Sequence, residues 1–273
     1  MIALELDRVS RDFTTPDGRR YRALDEISLA VPAGAFVAIV GPSGCGKSTL
    51  LNIGAGLLPP SSGTVRVDGE ALAGLNRRAT YMFQQDALLP WKTVQENVAL
   101  GLILGGATKP QARARADAWL ARVGLATFAA HYPSQLSGGM RKRVVMAQNW
   151  IIDRGILLMD EPFSALDVHT RQRMESELLA LWEGSGSSQT VRKTVIFVTH
   201  DLEEAIALAD EVVVLSAGPA ARVVARQAVT LNRPRDLMEL RTTAAFVELY
   251  RAIWAVLRQE VIKSQRMVEH GRK

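Results

Sequence analysis

The stretch Gly41-Pro42-Ser43-Gly44-Cys45-Gly46-Lys47-Ser48-Thr49 has the residue types and spacing of a loop that holds phosphate. It fits Gly-x-x-x-x-Gly-Lys-[Ser/Thr]. Glycines let the backbone turn so that successive N–H groups point inward at anionic oxygens. Lys47 supplies a cation for the β- and γ-phosphates, and Ser48 a hydroxyl for Mg²⁺. A helix starting at Lys47 adds its positive dipole end, worth about 0.3–1 kcal/mol toward an anion. Cys45 sits at a variable position and reads as a small loop residue. If it is reactive, alkylation should block ATP binding and ATP should protect it.

Three more stretches carry chemistry. The run Ile156-Leu157-Leu158-Met159-Asp160-Glu161 is apolar and ends in two acids. In a parallel α/β sheet such a strand delivers carboxylates to the edge where ligands bind. Asp160 suits a contact to Mg²⁺ or its bound water. Glu161 suits a base that polarises an attacking water, typically about 10²–10⁴-fold in rate. His200 ends the β-branched run from Thr194 and is read as facing the γ-phosphate. Ser137-Gly138-Gly139 precedes a helical run from Met140 to Trp150, making a second anion site at a helix N-terminus, or simply a cap with Ser137 satisfying free N–H groups. Phe13 and Tyr21 are each either packing residues or a platform for an adenine ring.

These residues need elements to position them. A buried strand is expected over 35–40 and a helix from Lys47 to Ala55. Residues 2–9 read as an edge strand with Ile2, Leu4 and Leu6 on one face. Further strands are expected over 27–31, 64–69 and 79–83, the last ending at Gln84-Gln85. Ala87-Leu88-Leu89-Pro90-Trp91 is too apolar for a casual solvent loop, so it either docks on something or is buried in its own domain. Residues 93–131 read as helical, broken at Gly105-Gly106 and Lys109-Pro110. Ser164-Ala165-Leu166-Asp167 leads into a helix to about Trp182, and residues 184–188 read as a linker. A helix starts at Asp201. Residues 211–216 and 221–225 form a hairpin through Gly218-Pro219. In the tail, Phe246, Tyr250, Ile253, Trp254 and Leu257 make one helical stripe that packs on the core or binds a partner.

Bulk composition narrows the class. The chain has 273 residues, enough for one large α/β domain, with 48% hydrophobic and 22% charged residues. A net charge of +5, spread along the chain, is weak evidence for nucleic acid and equally compatible with anionic headgroups. One cysteine excludes an intrachain disulfide and fits a reducing cytoplasm. No apolar run reaches membrane-spanning length, and residues 1–7 lack the pattern of a signal peptide.

Taken in order, the set resembles the ATP-binding cassette family: residues 41–49, Gln84, Leu136-Ser137-Gly138-Gly139, residues 156–161, residues 164–167 and His200. The resemblance covers residues 2–230. It implies a P-loop α/β fold with a RecA-like core, an antiparallel β subdomain and an α-helical subdomain at about 88–150. A C-terminal helical extension would occupy 231–273. Within the family, Leu89-Pro90-Trp91, Met140-Arg141 and a tail with Arg235 and an apolar-aromatic helix look like importers of nitrate, sulfonate or taurine, a subgroup some of whose members carry thiamine-precursor pyrimidines or other small organic solutes, so the resemblance leaves the substrate open. The resemblance implies two cassettes, most simply a homodimer, closing head to tail around two ATP molecules with Mg²⁺. Residues 41–49 of one would face Ser137-Gly138-Gly139 of the other. Lys47, Gln84, Glu161 and His200 would be catalytic, with Ser48, Gln84 and Asp160 at the metal and Phe13 on adenine, Tyr21 being the alternative. Partners would be a membrane permease, met near residues 85–91, and indirectly a periplasmic solute-binding protein. The chain would sit on the cytoplasmic face of the inner membrane. A cassette protein acting on nucleic acid or ribosomes is the alternative; it usually carries two cassettes and a basic arm. A P-loop kinase would not keep residues 136–139, and an exporter ATPase would lack Leu-Pro-Trp. Three departures from the family stand out: Met140 in place of Gln, the atypical stretch 149–155, and a long 184–193 loop.

Overall fold

The computed structural model describes residues 1–164, 166–184 and 192–270. Ala165 and the linker at residues 185–188, with most of the long loop containing it, lie outside them.

The described residues form two sheets. The smaller is antiparallel, in the order β2 (Arg20–Pro32), β1 (Ile2–Thr14), β4 (Ser62–Val67), β5 (Glu70–Ala71). The larger runs β10 (Val223–Ala228), β9 (Glu211–Leu215), β3 (Phe36–Val40), β8 (Thr194–Val198), β7 (Ile156–Asp160), β6 (Ala79–Met82). Its strands pair in parallel except for β10, which closes the sheet as a hairpin with β9. The residue stretch 2–9 is therefore not an edge strand. β1 is longer, and segments 20–32 and 62–67 pair with it from either side. Alternation alone does not distinguish an edge strand from an inner one, and Ile2 is exposed at the strand's start.

The central strands read as continuous apolar runs because both faces are covered. Phe36, Ala38 and Val40 of β3, Leu157 and Met159 of β7, and Val195 and Phe197 of β8 face one core. The intervening Val37, Ile39, Ile156, Leu158, Ile196 and Val198 face the other, which fills the space between the two sheets around α1 (Lys47–Gly54). The first core is completed by α5 (Val168–Gly184), α6 (Leu202–Leu208) and the tail.

A third core belongs to α2 (Val94–Leu104), α3 (Lys109–Arg122) and α4 (Gly138–Trp150). A reciprocal cap starts α2: Thr93 Oγ1 accepts from Glu96 N at 3.2 Å, and Glu96 Oε2 accepts from Thr93 N at 3.0 Å. The atypical stretch 149–155 ends α4: Ile151 is buried in this core and Asn149 donates to Val145 O at 2.9 Å.

The tail forms α7 (Leu237–Leu240) and α8 (Ala244–His270). Its stripe divides. Phe246, Ile253 and Leu257 are buried in the first core, while Trp254 is partly exposed and stacks on Tyr250. Arg235 fastens the tail's start. Its guanidinium donates to the carbonyls of Ala207 and Ala209, which the end of α6 leaves free, and burial pulls its pKa down to about 10. Among the described residues no helix is long and apolar enough to cross a membrane.

Phe197 meets Phe36 and Phe163 between the sheet and its helices. Phe197→Ala should lower stability by about 3–5 kcal/mol. Urea denaturation followed by circular dichroism checks this.

Candidate functional site

Residues 41–46 link β3 to α1 and wrap around the start of that helix. Gly46 has φ of 95°, and a Cβ there would lie 2.8 Å from Leu24 Cδ2, so the turn requires glycine on both counts. Lys47 is buried, and its Nζ donates to Gly41 O at 2.9 Å and Pro42 O at 3.0 Å. The loop's own carbonyls thus hold the ammonium at the loop's centre. Cys45 is the loop residue that the structure reads differently. Its side chain is buried in the core between the two sheets, and burial pushes its thiol up. It is a packing residue, and the reactive-thiol expectation is set aside.

Four neighbouring strands end along one edge. β3 leads to residues 41–49, β8 to His200, β7 to Asp160 and Glu161, and β6 to Gln84. Ser48 Oγ donates to Asp160 Oδ1 at 2.9 Å, joining the two ends across β8. Burial pushes the Asp160 carboxyl up. The Ser48 bond opposes this, and the charge of Glu161 adds to it. A buried carboxylate beside a hydroxyl, both hard oxygen donors, fits a divalent cation that takes its other ligands from phosphate and water.

Glu161 is a non-glycine residue at φ 44°, a backbone strain of about 1–3 kcal/mol. Its N–H donates to Val198 O at 2.9 Å, and its C=O accepts from Ser164 Oγ at 3.1 Å. The turn is thereby held from both sides. Oε2 of Glu161 accepts from Gln84 Nε2 at 3.3 Å and lies 3.2 Å from His200 Nδ1. Among the described residues Oε1 has no hydrogen-bond partner. His200 is placed by its neighbours. Thr199 Oγ1 donates to Glu204 Oε2 at 2.7 Å, burial pushing that carboxyl up to about 8, and Asp201 caps α6.

Other sequence candidates lie elsewhere. Phe13 and Tyr21 are cross-strand partners on β1 and β2, stacked with centroids 5.6 Å apart, so the two alternatives form one aromatic unit. Ser137 caps α4, accepting from Met140 N at 3.3 Å, and Gly138 and Gly139 form its first turn. No hydrogen bond among the described residues joins these three to residues 41–49. Two participants escaped sequence reasoning. Tyr81 reaches Asp160 Oδ2 at 3.4 Å, and burial with that negative charge pushes its phenol up. Lys142 on α4 reaches the carbonyl of Gln84. The position of Tyr81 within the expected strand over 79–83 was the one available signal for it.

Comparison with known proteins gives the same outline. The ABC transporter family model matches residues 24–164. The chain is 43% identical over 258 residues to a taurine import ATP-binding protein of Rhizobium johnstonii, covering 93% of this chain and 96% of that protein. It is 43% identical over 263 residues to an uncharacterized ABC transporter ATP-binding protein of Methanocaldococcus jannaschii, covering 96% and 94%. Among solved structures it is similar to a dimeric ATP-binding cassette in a post-hydrolysis state bound to ADP and Pi. That match has 33% identity and a TM-score of 0.71, over 84% of this chain and 100% of that one.

Burial makes a testable statement about Cys45. In the folded protein a thiol reagent such as Ellman's should label it far more slowly than in urea, and ATP should add little protection. Fast labelling of the native chain that ATP suppresses would restore the reactive-thiol reading.

Proposed function

The chain belongs to the ATP-binding cassette family and is an ATPase, and on that premise we propose that it is the ATP-hydrolysing subunit of a bacterial importer. The observation that carries the reading is the convergence of Ser48, Asp160, Gln84, Glu161 and His200 on one sheet edge beside the phosphate loop.

In this reading the N–H groups of residues 41–49 and the Lys47 ammonium hold the β- and γ-phosphates. Little covalent chemistry is asked of the protein; positioning and charge neutralisation supply most of the rate. Ser48 and Asp160 would hold Mg²⁺, with Gln84 near it, and the ion would neutralise charge on the phosphate oxygens. Gln84 and His200 both engage Oε2 of Glu161, which leaves Oε1 to polarise the attacking water. His200 then presents its other ring nitrogen to the γ-phosphate. The stacked Phe13–Tyr21 unit, with Arg11 above the Phe13 ring, is the adenine platform. Ser137, Gly138 and Gly139 act in trans on the nucleotide of a second cassette, most simply another copy of this chain. That accounts for an anion-type helix start with no bond to its own phosphate loop.

The permease side is the loop before α2. Trp91 is 70% exposed, yet the loop is tied down. Buried Asn97 accepts from Leu89 N at 2.7 Å and donates to the carbonyls of Leu89, Lys92 and Thr93. An exposed aromatic on a pre-ordered loop suits docking. At the start of the same apolar segment Ala87 lines a groove of about 360 Å³ with Leu57, Leu75, Phe83 and Leu104. The transported solute, by likeness to taurine import proteins, is a small anionic or organic solute of the nitrate, sulfonate or taurine kind. It would be delivered by a periplasmic binding protein, with this chain on the cytoplasmic face of the membrane.

Two variants test the site. Glu161→Gln should keep ATP binding, lose about 10²-fold or more of turnover and accumulate an ATP-dependent dimer in size-exclusion chromatography. Ser137→Arg should abolish hydrolysis while the isolated chain still binds ATP. Wild-type turnover in the first, or lost single-chain binding in the second, contradicts the assignment. Purification from native membranes should recover a polytopic permease with this chain; recovery of ribosomes or nucleic acid would favour the soluble alternative.

A further inference from the structure

A buried charge joins the Ser-Gly-Gly helix to the glutamine loop. The Lys142 side chain, on the second turn of α4, is 4% exposed. Its Nζ donates to the main-chain carbonyl of Gln84 at 2.9 Å and lies 2.9 Å from Asp86 Oδ1. The preceding residue, Arg141, reaches the other oxygen, Asp86 Oδ2, at 3.4 Å, and also donates to Leu136 O at 2.7 Å. One carboxylate is thus gripped by two successive cations of one helix. A buried ammonium without partners is costly, so Lys142 is confined to this spot by the carboxylate and carbonyl it meets. It is not a solvated surface charge.

The carbonyl that it holds belongs to the residue whose side chain touches Glu161. A continuous set of contacts therefore runs from α4 through Lys142 to the Gln84 backbone, then through the Gln84 amide to the acid. A neutral donor at 142 could bond the carbonyl but not neutralise Asp86.

We propose that Lys142 is a positioning residue for hydrolysis. With Asp86 it fixes the Gln84 main chain to α4, so that the contact between Gln84 and Glu161 depends on where the Ser-Gly-Gly helix sits. The inference rests on the roles proposed above for Gln84 and Glu161. Lys142 acts through Gln84, so its removal lowers turnover and spares nucleotide affinity.

The test uses the full chain and steady-state MgATP hydrolysis, with affinity measured by a fluorescent ATP analogue. Lys142→Met should lower kcat about 10- to 100-fold, the scale of a misplaced catalytic group, with KM little changed. Lys142→Arg should recover most of the rate, because a guanidinium can meet both the carboxylate and the carbonyl. Asp86→Asn, nearly isosteric, should also lower kcat. Combining it with Lys142→Met should cost little more than either change alone. Unchanged kcat in Lys142→Met overturns the proposal. So does a parallel loss of affinity without rescue by arginine, which marks a merely structural role. If Lys142→Met does not fold, Asp86→Asn decides alone: a wild-type kcat overturns the clamp. A wild-type chain without MgATP turnover, or a fully active Glu161→Gln, would instead defeat the underlying reading.

Discussion

Parallel pairing of β6, β7, β8 and β3 places four strand ends on one edge of the sheet, and the site is built from the residues at and just past those ends. The pairing holds because both faces of these strands are apolar and covered: one by α4 to α8, the other by α1 and the antiparallel sheet. A shift of one residue in any of these strands would exchange the side chains that fill the two cores, and each core is packed around a particular set of shapes. The register sets Asp160 opposite Val198, and Met82 opposite Met159. Residues from four distant parts of the chain meet without a long ordered loop to carry them.

On this frame the polar groups are held under constraint. Lys47 is kept by loop carbonyls, Asp160 by Ser48 and Tyr81, and Glu161 by a strained turn bonded on both sides. Lys47 and Asp160 are buried and Glu161 is partly so, an arrangement suited to a triphosphate with its metal. The electrostatic unease of Asp160, raised by burial and by Glu161, is what a cation would relieve.

The three helices share a core, and α4 also packs on the sheet through Val145, Met146 and Trp150; two of its polar links fall on the glutamine loop. Lys142 and Arg141 grip Asp86 there, while Arg115 donates to Ile151 O within the helical unit itself. α4 therefore joins the core of the three helices to the strand ends through both apolar packing and these ion pairs. The Leu-Pro-Trp loop, pinned through Asn97 to α2, belongs to the same helical unit. A contact at Trp91 and a contact at Ser137 therefore bear on one set of helices.

Most of the site was legible in the sequence because its signals are local. A phosphate loop is nine consecutive residues, an apolar strand ending in Asp160-Glu161 is six, and a capped helix start at Ser137 is three. Backbone conformation over such spans follows from glycine, strand and cap preferences without knowledge of the fold. What the tertiary structure alone decided involves partners far apart in the chain. Tyr81 and Asp160 are 79 positions apart, Lys142 and Gln84 58. β1 became an inner strand only through pairing on both sides. Phe13 and Tyr21 became one stacked unit through register, and Cys45 became a buried packing residue in the core between the sheets. Local preference determines what each segment can present; burial and register determine which segments meet, and those depend on contacts that no single stretch of sequence contains.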